Sequence, residues 1–380
     1  MDKFKKMNTN YSPLERGKGV CKYKTHSFFL NFATFRFYFL TALIISLFLS
    51  GGLLPAQTSL NNQPLDSTIN PSDFTFIVTG HIYGDGSNQS GFPASTFLAN
   101  LENIEKLNPA FIWFTGDVFR DIENDFPNYQ RSLFTKIDFP LYNAVGNHDL
   151  TGDFYQENIG DTWYSFSIGN SFFITLDSEY SDSKIDGEQL GFFTAALENA
   201  ESAGIKNVFI TSHRPIWAET NPEFAGLFSE NTRSVFGDNF VNDIQPLLKK
   251  YEKDFSIFWF SGSMGNGPAS FFYHQDVHVT FIQSAIRNQK RDAVLKVKIK
   301  QDRVSFETIS LTGQQLEPLE NYNLEYWKDY RKPVVKFNYR LIPLYIKQMF
   351  ISRYFWYGMG LMLLIVFGVS RIRNRLGKND

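Results

Sequence analysis

Three short polar stretches carry side chains that can do chemistry together. Gly146-Asn147-His148-Asp149 places an amide, an imidazole and a carboxylate in consecutive positions. Such groups bind metal ions, transfer protons or orient the group that transfers one. Gly116-Asp117 adds a carboxylate upstream, and Ser212-His213 adds an imidazole downstream. Three such stretches in one chain are much more specific than a lone His or Asp.

Each polar stretch follows an apolar run with the length and composition of a strand. These runs are Phe111–Thr115, Leu141–Val145 and Val208–Thr211. In open α/β sheets, ligands bind outside the carboxyl ends of the strands. Three strands that each end on a polar residue therefore predict that these side chains meet at one edge of a sheet.

The remaining pattern predicts alternating strands and helices. A strand over Phe74–Thr79, an amphipathic helix over Pro93–Leu107 and a strand over Ala110–Phe114 form a βαβ unit. A second helix is predicted over Gly187–Ser202, with Leu190, Phe193 and Leu197 on its apolar face. Further strands are predicted at Trp163–Ile168, Phe172–Leu176, Asn207–Thr211, Phe255–Phe260, Val277–Gln283, Ala293–Lys300 and Arg303–Ile309.

With these motifs, residues 73–312 resemble the calcineurin-like metallophosphoesterases, whose pattern is DxH, GDxx, GNH followed by Asp or Glu, a lone His and GHxH. Gly116-Asp117 and Gly146-Asn147-His148-Asp149 match fully, and His213 matches the lone His. The resemblance implies an α/β (α+β) fold, a four-layer sandwich of two mixed β-sheets flanked by helices. It also implies hydrolysis of a phosphomonoester or phosphodiester by metal-activated water.

The resemblance further implies one or two divalent ions and a set of ligands for them. Mixed carboxylate, amide and imidazole ligands suit Mn, Fe or Zn better than Ca or Mg. Asp117 would bridge two divalent ions, His81 would bind the first ion, and Asn147 and His213 would bind the second. His148 would be the general acid that protonates the leaving oxygen, with Asp149 orienting its ring. The matched motifs are followed directly by Arg120 and Arg214, which become candidate substrate-binding residues because a guanidinium binds phosphate with two hydrogen bonds.

The first and last motifs depart from the family pattern. Thr79 stands where the Asp of DxH belongs, and Ser263 and Gly265 stand where both His of GHxH belong. Two ligands rarely hold a metal ion, whereas three ligands and a water can. We therefore expect one dependable ion at the second site and a weak or absent first ion. Other residues could fill the gap, but Asp85 between two glycines is typical of a turn, and His274 and His278 are typical of a surface or edge strand.

Two uncharged apolar runs, residues 37–54 and 354–370, lie outside this domain. The first follows a basic leader (1–36) and is either a transmembrane anchor or a signal peptide cut after Ala56; the long leader favours an anchor. The second is a predicted transmembrane helix followed by a basic tail (371–380). Residues 55–72 are predicted as a linker and 313–353 as a juxtamembrane stalk. Both termini are then cytoplasmic, and the catalytic domain is extracytoplasmic.

The distribution of charge agrees with this predicted topology. Residues 55–353 carry 25 of the 37 Lys and Arg but 36 of the 39 Asp and Glu, so this middle portion is acidic by 11 charges. An acidic surface argues against nucleic acid as a partner, because binding to a phosphate backbone needs a basic surface. The predicted partners are therefore the membrane and a phosphate-ester substrate, such as a lipid-linked or glycan-linked phosphate.

Two functions from different classes agree with these observations. The first is a membrane-anchored, extracytoplasmic metallophosphoesterase. The second is a catalytically impaired pseudophosphatase with the same fold, which would bind a phosphorylated ligand or act as a scaffold in envelope or polysaccharide assembly. The retained polar residues favour the enzyme, because such groups are costly to bury without partners.

Overall fold

The computed structural model describes residues 59–224, 227, 234–264, 267–276, 279–329, 342–351 and 353–376. All of them belong to the second of two units, residues 57–380, into which the chain divides. Several sequence predictions lie outside the described residues: the leader 1–36, the apolar run 37–54, Gly265, His278 and the end of the basic tail.

The first sheet has five strands in the order β11-β10-β1-β2-β3. Its strands are β1 (Asp73–Thr79), β2 (Ile112–Phe114), β3 (Leu141–Asn143), β10 (Ala293–Lys300) and β11 (Arg303–Ser310). β1, β2 and β3 run parallel, and the β10–β11 hairpin adds to β1 in the antiparallel sense. The carboxyl ends of β1, β2 and β3 therefore lie at the same edge.

The second sheet has six strands in the order β4-β5-β6-β7-β9-β8. Its strands are β4 (Tyr164–Ile168), β5 (Ser171–Thr175), β6 (Asn207–Ser212), β7 (Ser256–Ser261), β8 (Phe271–Asp276) and β9 (Val279–Ser284). β5, β6, β7 and β9 run parallel, whereas β4 and β8 pair antiparallel with their neighbours. The edge strand β8 was not predicted.

Aromatic side chains fill the space between the two sheets. Phe76 of β1 packs edge-on against Phe173 of β5 and Phe209 of β6, with ring centroids 5.4 and 5.3 Å apart. Trp113 of β2 packs against the same Phe173 at 5.5 Å. Alternate residues of each strand point into this core, so the sheets stack face to face. The Ser284 hydroxyl, which donates to the Val78 carbonyl at 3.2 Å, joins the sheets near their carboxyl ends.

Helices cover the outer faces of both sheets and complete a four-layer arrangement. The predicted fold class, two mixed sheets flanked by helices, is confirmed. The helices are α1 (Ser95–Leu98), α2 (Leu101–Glu105), α3 (Ile122–Tyr129), α4 (Phe154–Asn158), α5 (Gly187–Ser202), α6 (Ile216–Glu219), α7 (Gln245–Tyr251), α8 (Leu324–Asp329), α9 (Ile342–Ile351) and α10 (Arg353–Leu376). Short π-helical turns span Gln130–Phe134 and Phe240–Ile244, and 3₁₀ turns span Pro222–Phe224 and Leu319–Asn321.

The predicted helix over Pro93–Leu107 is instead two short helices. The break falls at Asn100, whose side-chain amide donates to the Thr96 and Leu311 carbonyls at 2.8 and 2.7 Å. The second of these bonds ties the break to Leu311, just after β11. The helix predicted over Gly187–Ser202 is confirmed with the same bounds.

The C-terminal apolar run forms most of α10. Within the part of the chain that the structure describes, no helix combines the length and the apolar character needed to cross a membrane. The prediction that residues 354–370 span a membrane is therefore not supported.

Candidate metal centre

Three side chains from three strand ends converge on one point between the sheets. His81 follows β1, Asp117 follows β2 and His213 follows β6. Their ligand atoms all lie within 4.8 Å of one another, and all three residues are buried. His81 Nε2 lies 3.3 Å and His213 Nε2 lies 3.5 Å from the same oxygen, Asp117 Oδ2. The strand ends therefore converge, but they belong to two sheets and not to one edge of a single sheet as predicted.

The backbone at two of these positions adopts a left-handed conformation. His81 has φ +54° and Asp117 has φ +54°, which L-residues with a side chain rarely adopt. The His81 amide donates to the Gly116 carbonyl at 2.9 Å, so the two turns support each other. Strained residues of this kind cluster at functional sites, where the surrounding structure holds them in place.

Two glycines let the loops approach closely enough to form the centre. A Cβ on Gly116 would lie 2.3 Å from His213 Nδ1, and one on Gly146 would lie 2.3 Å from Asp117 Oδ1. Real Cβ contacts are never this short, so a side chain at either position would displace a residue of the cluster. The Gly of each motif is therefore a steric requirement of the site.

The hydrogen bond of His213 fixes which of its nitrogens can bind a cation. Nδ1 lies 2.9 Å from the Thr115 carbonyl oxygen, and a carbonyl oxygen only accepts, so Nδ1 carries the proton. Nε2 is then the ring nitrogen that faces Asp117 Oδ2 and is available to bind a cation.

His81 presents the second imidazole to the same carboxylate. Neither of its ring nitrogens has a hydrogen-bond partner, although Nε2 lies 3.3 Å from Asp117, because the geometry there does not suit a hydrogen bond. Burial, followed by the positive charge of Arg287, lowers the pKa of His81 well below its usual value. The ring is therefore neutral at physiological pH and offers a lone pair.

These donor atoms fit a divalent transition metal. Two imidazole nitrogens and one carboxylate oxygen form a three-ligand set that leaves open positions, as catalytic Zn and Fe sites do. Sequence analysis assigned His81 and His213 to different ions, whereas the structure gathers both around Asp117 Oδ2. Asn147 lies on the exposed turn beside them and stays a predicted ligand.

His148 lies next to this cluster and is half-buried. Its amide donates to Asp117 Oδ1 at 3.2 Å, which links the ring to the metal centre. Its Nδ1 lies 2.9 Å from the Arg120 carbonyl oxygen, so Nδ1 is the protonated nitrogen. The partner that orients the ring is therefore this carbonyl, and not Asp149 as the sequence analysis expected.

Asp149 instead points into the protein and ties three segments together. Its carboxylate accepts hydrogen bonds from the Phe119 amide at 2.9 Å, the Gly146 amide at 3.0 Å and the Asn143 side chain at 3.1 Å. Burial and the nearby Asp117 charge raise its pKa to about 6, against these three donors. The residue thus connects the loop after β2 with the loop that carries His148.

Both arginines predicted to bind substrate have partners within the protein. The Arg120 guanidinium donates to the carbonyls of Gly86 and Asn88 at 2.7 and 2.8 Å and so holds the loop after His81. The Arg214 guanidinium pairs with Glu179 at 2.5 Å and Asp182 at 2.8 Å. Their predicted contact with substrate stays a prediction, and their observed contacts are structural.

Thr79 and Ser263, which the sequence analysis compared with the family pattern, lie at or just after the ends of β1 and β7. Thr79 is fully buried at the end of β1, and its hydroxyl has no hydrogen-bond partner. Ser263 is buried too, and its amide donates to the His213 carbonyl at 3.0 Å. Asp85 caps a turn by accepting from the Ser87 amide, and His274 stacks on Phe281 in a separate aromatic group. Asp85 is therefore a turn residue and His274 lies on an edge strand, as the sequence indicated.

Two residues near the centre were not predicted. The ring of Tyr83 lies beside the imidazoles of His81 and His148, with ring centroids 5.4 and 5.2 Å away. Burial and the Asp117 charge raise the Tyr83 pKa to about 12, and the positive charge of Arg287 opposes this rise. The only sequence signal for Tyr83 is its position two residues after His81, and Arg287 belongs to no motif.

Comparison with known proteins gives limited information. The sequence matches no protein-family model and no curated protein. Among solved structures, the chain is similar to a dimetal phosphatase from Danio rerio, at 13% sequence identity and a TM-score of 0.45. The match covers 63% of this chain and 96% of that one. Similarity at this level does not assign an activity.

Proposed function

We propose that the chain is a metal-dependent phosphoesterase that works with one divalent ion held by His81, Asp117 and His213. The observation that supports this most is the buried convergence of the imidazoles of His81 and His213 on one carboxylate oxygen of Asp117. Three ligands with open positions are typical of hydrolytic metal sites.

The chemistry follows from the ion and from the residues around it. When bound there, a divalent ion polarises a phosphoryl oxygen and lowers the pKa of a water molecule, so that the water attacks near neutral pH. His148 supplies the proton. Because its Nδ1 is held by the Arg120 carbonyl, Nε2 is the nitrogen that can donate to the leaving oxygen of the ester.

The substrate class and location in this proposal come from the sequence. The substrate is a phosphomonoester or phosphodiester, such as a lipid-linked or glycan-linked phosphate. The acidic middle portion between two apolar runs with basic flanks supports an extracytoplasmic domain held at a membrane.

Metal content and hydrolysis of the purified full-length chain test the proposal together. We expect about one Mn, Fe or Zn ion per chain, lost in His81→Ala, and hydrolysis of p-nitrophenyl phosphate or bis-p-nitrophenyl phosphate. His148→Gln should keep the ion and lower the rate by about 10²- to 10⁴-fold. His274→Gln is the matched control, because it changes a histidine outside the centre.

Each result has a defined meaning. Absence of bound metal from the correctly folded wild-type chain would refute the metallophosphoesterase. Equal losses of activity in His148→Gln and His274→Gln would refute the role of His148. A second candidate, a binding module for phosphorylated ligands, is favoured by the missing ligands at Thr79 and Ser263. Retention of one ion and phosphate binding without hydrolysis of either ester would select it.

A further inference from the structure

The imidazole ring of His148 is held by two neighbours. Its Nδ1 lies 2.9 Å from the Arg120 carbonyl oxygen. The ring of Tyr83 packs beside it, with ring centroids 5.2 Å apart and an angle of 54° between the planes. Tyr83 is 5% exposed, so its ring has little freedom to move. The orientation of the His148 ring therefore depends on where these two neighbours are held.

The Arg120 guanidinium holds the loop 83–92, which begins with Tyr83. Its Nη1 donates to the carbonyls of Gly86 and Asn88 at 2.7 and 2.8 Å. The side-chain amide of Asn88 donates in turn to the Tyr83 carbonyl at 2.7 Å and to the Phe92 carbonyl at 3.0 Å. Consecutive hydrogen bonds therefore connect the guanidinium with the backbone of Tyr83.

The backbone of Arg120 is fixed as well. Asp125 of α3 is 7% exposed, and its Oδ2 accepts hydrogen bonds from the amides of Arg120 and Asp121, both at 3.1 Å. From this fixed peptide, Arg120 reaches the His148 ring by two routes. One is direct, through the carbonyl, and the other runs through the guanidinium and the loop 83–92.

We infer that Arg120 is a positioning residue for His148, an inference that rests on the proposed function. In that function the proton passes from Nε2 to the leaving oxygen as the P–O bond breaks, and the neutral ring that remains keeps its proton on Nδ1. The Arg120 carbonyl accepts from Nδ1–H before and after this transfer, so it selects Nε2 as the nitrogen that gives up the proton. The guanidinium holds the loop 83–92 and so keeps the Tyr83 ring against the imidazole.

The dependence of kcat on the leaving group tests this role in the metal-loaded full-length chain. p-Nitrophenol leaves readily without a proton, whereas phenol is a poorer leaving group and needs the acid more. Arg120→Met should lower kcat for phenyl phosphate, or for the matching diester, by roughly ten- to a hundredfold, and kcat for the p-nitrophenyl ester by less. KM and metal content should stay those of the wild type. A direct contact between Arg120 and phosphate would instead raise KM for both esters and would overturn the inference.

Further variants separate this series of contacts from the general loss of an arginine. Asn88→Ala cuts the link between the guanidinium and the Tyr83 backbone, so it should show the same dependence on the leaving group. Combined with Arg120→Met it should add less than its own single effect, because both changes break the same series of contacts. Arg303→Met is the control, since it removes an exposed guanidinium near the amino end of β1 and should leave both rates unchanged. If Arg120→Met does not fold, Arg120→Lys, which keeps the charge on a more flexible stem, should show the same dependence to a smaller degree.

The tautomer of His148 gives a readout that needs no hydrolysis. Ring nitrogen chemical shifts of the Zn-loaded, histidine-labelled chain at alkaline pH distinguish a proton on Nδ1 from one on Nε2, and His148→Gln assigns the signals. The wild type should carry the proton on Nδ1. Arg120→Met and Asn88→Ala should shift the His148 signals towards a mixture of both tautomers, and Arg303→Met should not.

The outcomes separate this inference from the proposed function. Either unchanged His148 signals or equal losses of kcat for the two esters in Arg120→Met would overturn the role of Arg120 and leave the metallophosphoesterase intact. Hydrolysis of neither ester by the wild type would refute the proposed function. Arg120 would then still be the residue that positions the His148 ring if the signals shift in Arg120→Met and not in Arg303→Met.

Discussion

An alanine at Gly116 tests whether the metal centre depends on the close approach of its loops. A Cβ there would lie 2.3 Å from His213 Nδ1 and 2.7 Å from the Ala144 carbonyl oxygen. The residue also has φ +91°, a conformation that alanine adopts only with strain. Since backbone atoms lie on one side, His213 is the group that must move.

The expected cost has two parts. The left-handed backbone costs alanine roughly 1–2 kcal/mol. Forcing one extra carbon into a filled site adds roughly 1–3 kcal/mol. Gly116→Ala should therefore lower the free energy of unfolding by about 2–5 kcal/mol. Movement of His213 also breaks its bond to the Thr115 carbonyl, so we expect metal affinity to fall as well.

Gly204→Ala is the matched control. Gly204 has φ +70°, but a Cβ there would meet no atom within 4 Å. It should therefore lose only the backbone part, roughly 1–2 kcal/mol, with metal affinity unchanged. Denaturant unfolding of the metal-free chains and a metal titration of each measure both effects. Equal destabilisation and equal metal affinity in the two variants would show that the close contact at Gly116 does not shape the centre.

Further predictions concern stability. Mn or Zn at a hundred times its dissociation constant should raise the free energy of unfolding by about 2.7 kcal/mol, and His81→Ala should remove this gain; an equal gain in both would place the ion elsewhere. Arg214→Met leaves Glu179 buried without its partner and should cost about 3 kcal/mol in denaturant unfolding. Lys296→Met breaks the exposed ion pair with Glu307 and should lower the free energy of unfolding by under about 1 kcal/mol. Similar losses in Arg214→Met and Lys296→Met would contradict the difference between buried and exposed pairs. Asp149→Asn places an amide against three donors and should cost about 2 kcal/mol or more, and an unfolding midpoint like that of the wild type would refute the linking role.

Most strands were predictable because they are short apolar runs, and the helix α5 was predictable because Leu190, Phe193 and Leu197 recur at helical spacing. The helix α3 was not, since Pro127 lies inside it and reads as a helix breaker. Its start is stabilised by Asp121, which accepts from the Asn124 amide. The edge strand β8 ends in His274, Gln275 and Asp276, and this polar stretch has no buried periodicity to identify it.

The sequence predicted which strand ends carry the site residues, but it did not predict how these residues are arranged around an ion. Which ion His81 serves depends on where β1 and β6 meet, and the two strands belong to different sheets. The contact between Ile286 and Gly80 brings the loop after β9 next to the residue that precedes His81, and it joins residues about two hundred positions apart. No local pattern encodes such a contact, so only the packing of the two sheets shows it.

The buried polar residues around the centre fall into two groups, those with hydrogen-bond partners inside the protein and those without. Asp149 and Arg214 have hydrogen-bond partners that explain their burial as structural. His81 does not, because both ring nitrogens are buried without a hydrogen bond and the backbone beneath them is strained. An orphaned buried polar atom costs roughly 1–3 kcal/mol, and a left-handed backbone adds to that. His81 carries both costs, and its imidazole lies next to Asp117. Binding of a ligand by this imidazole best explains why the fold tolerates them.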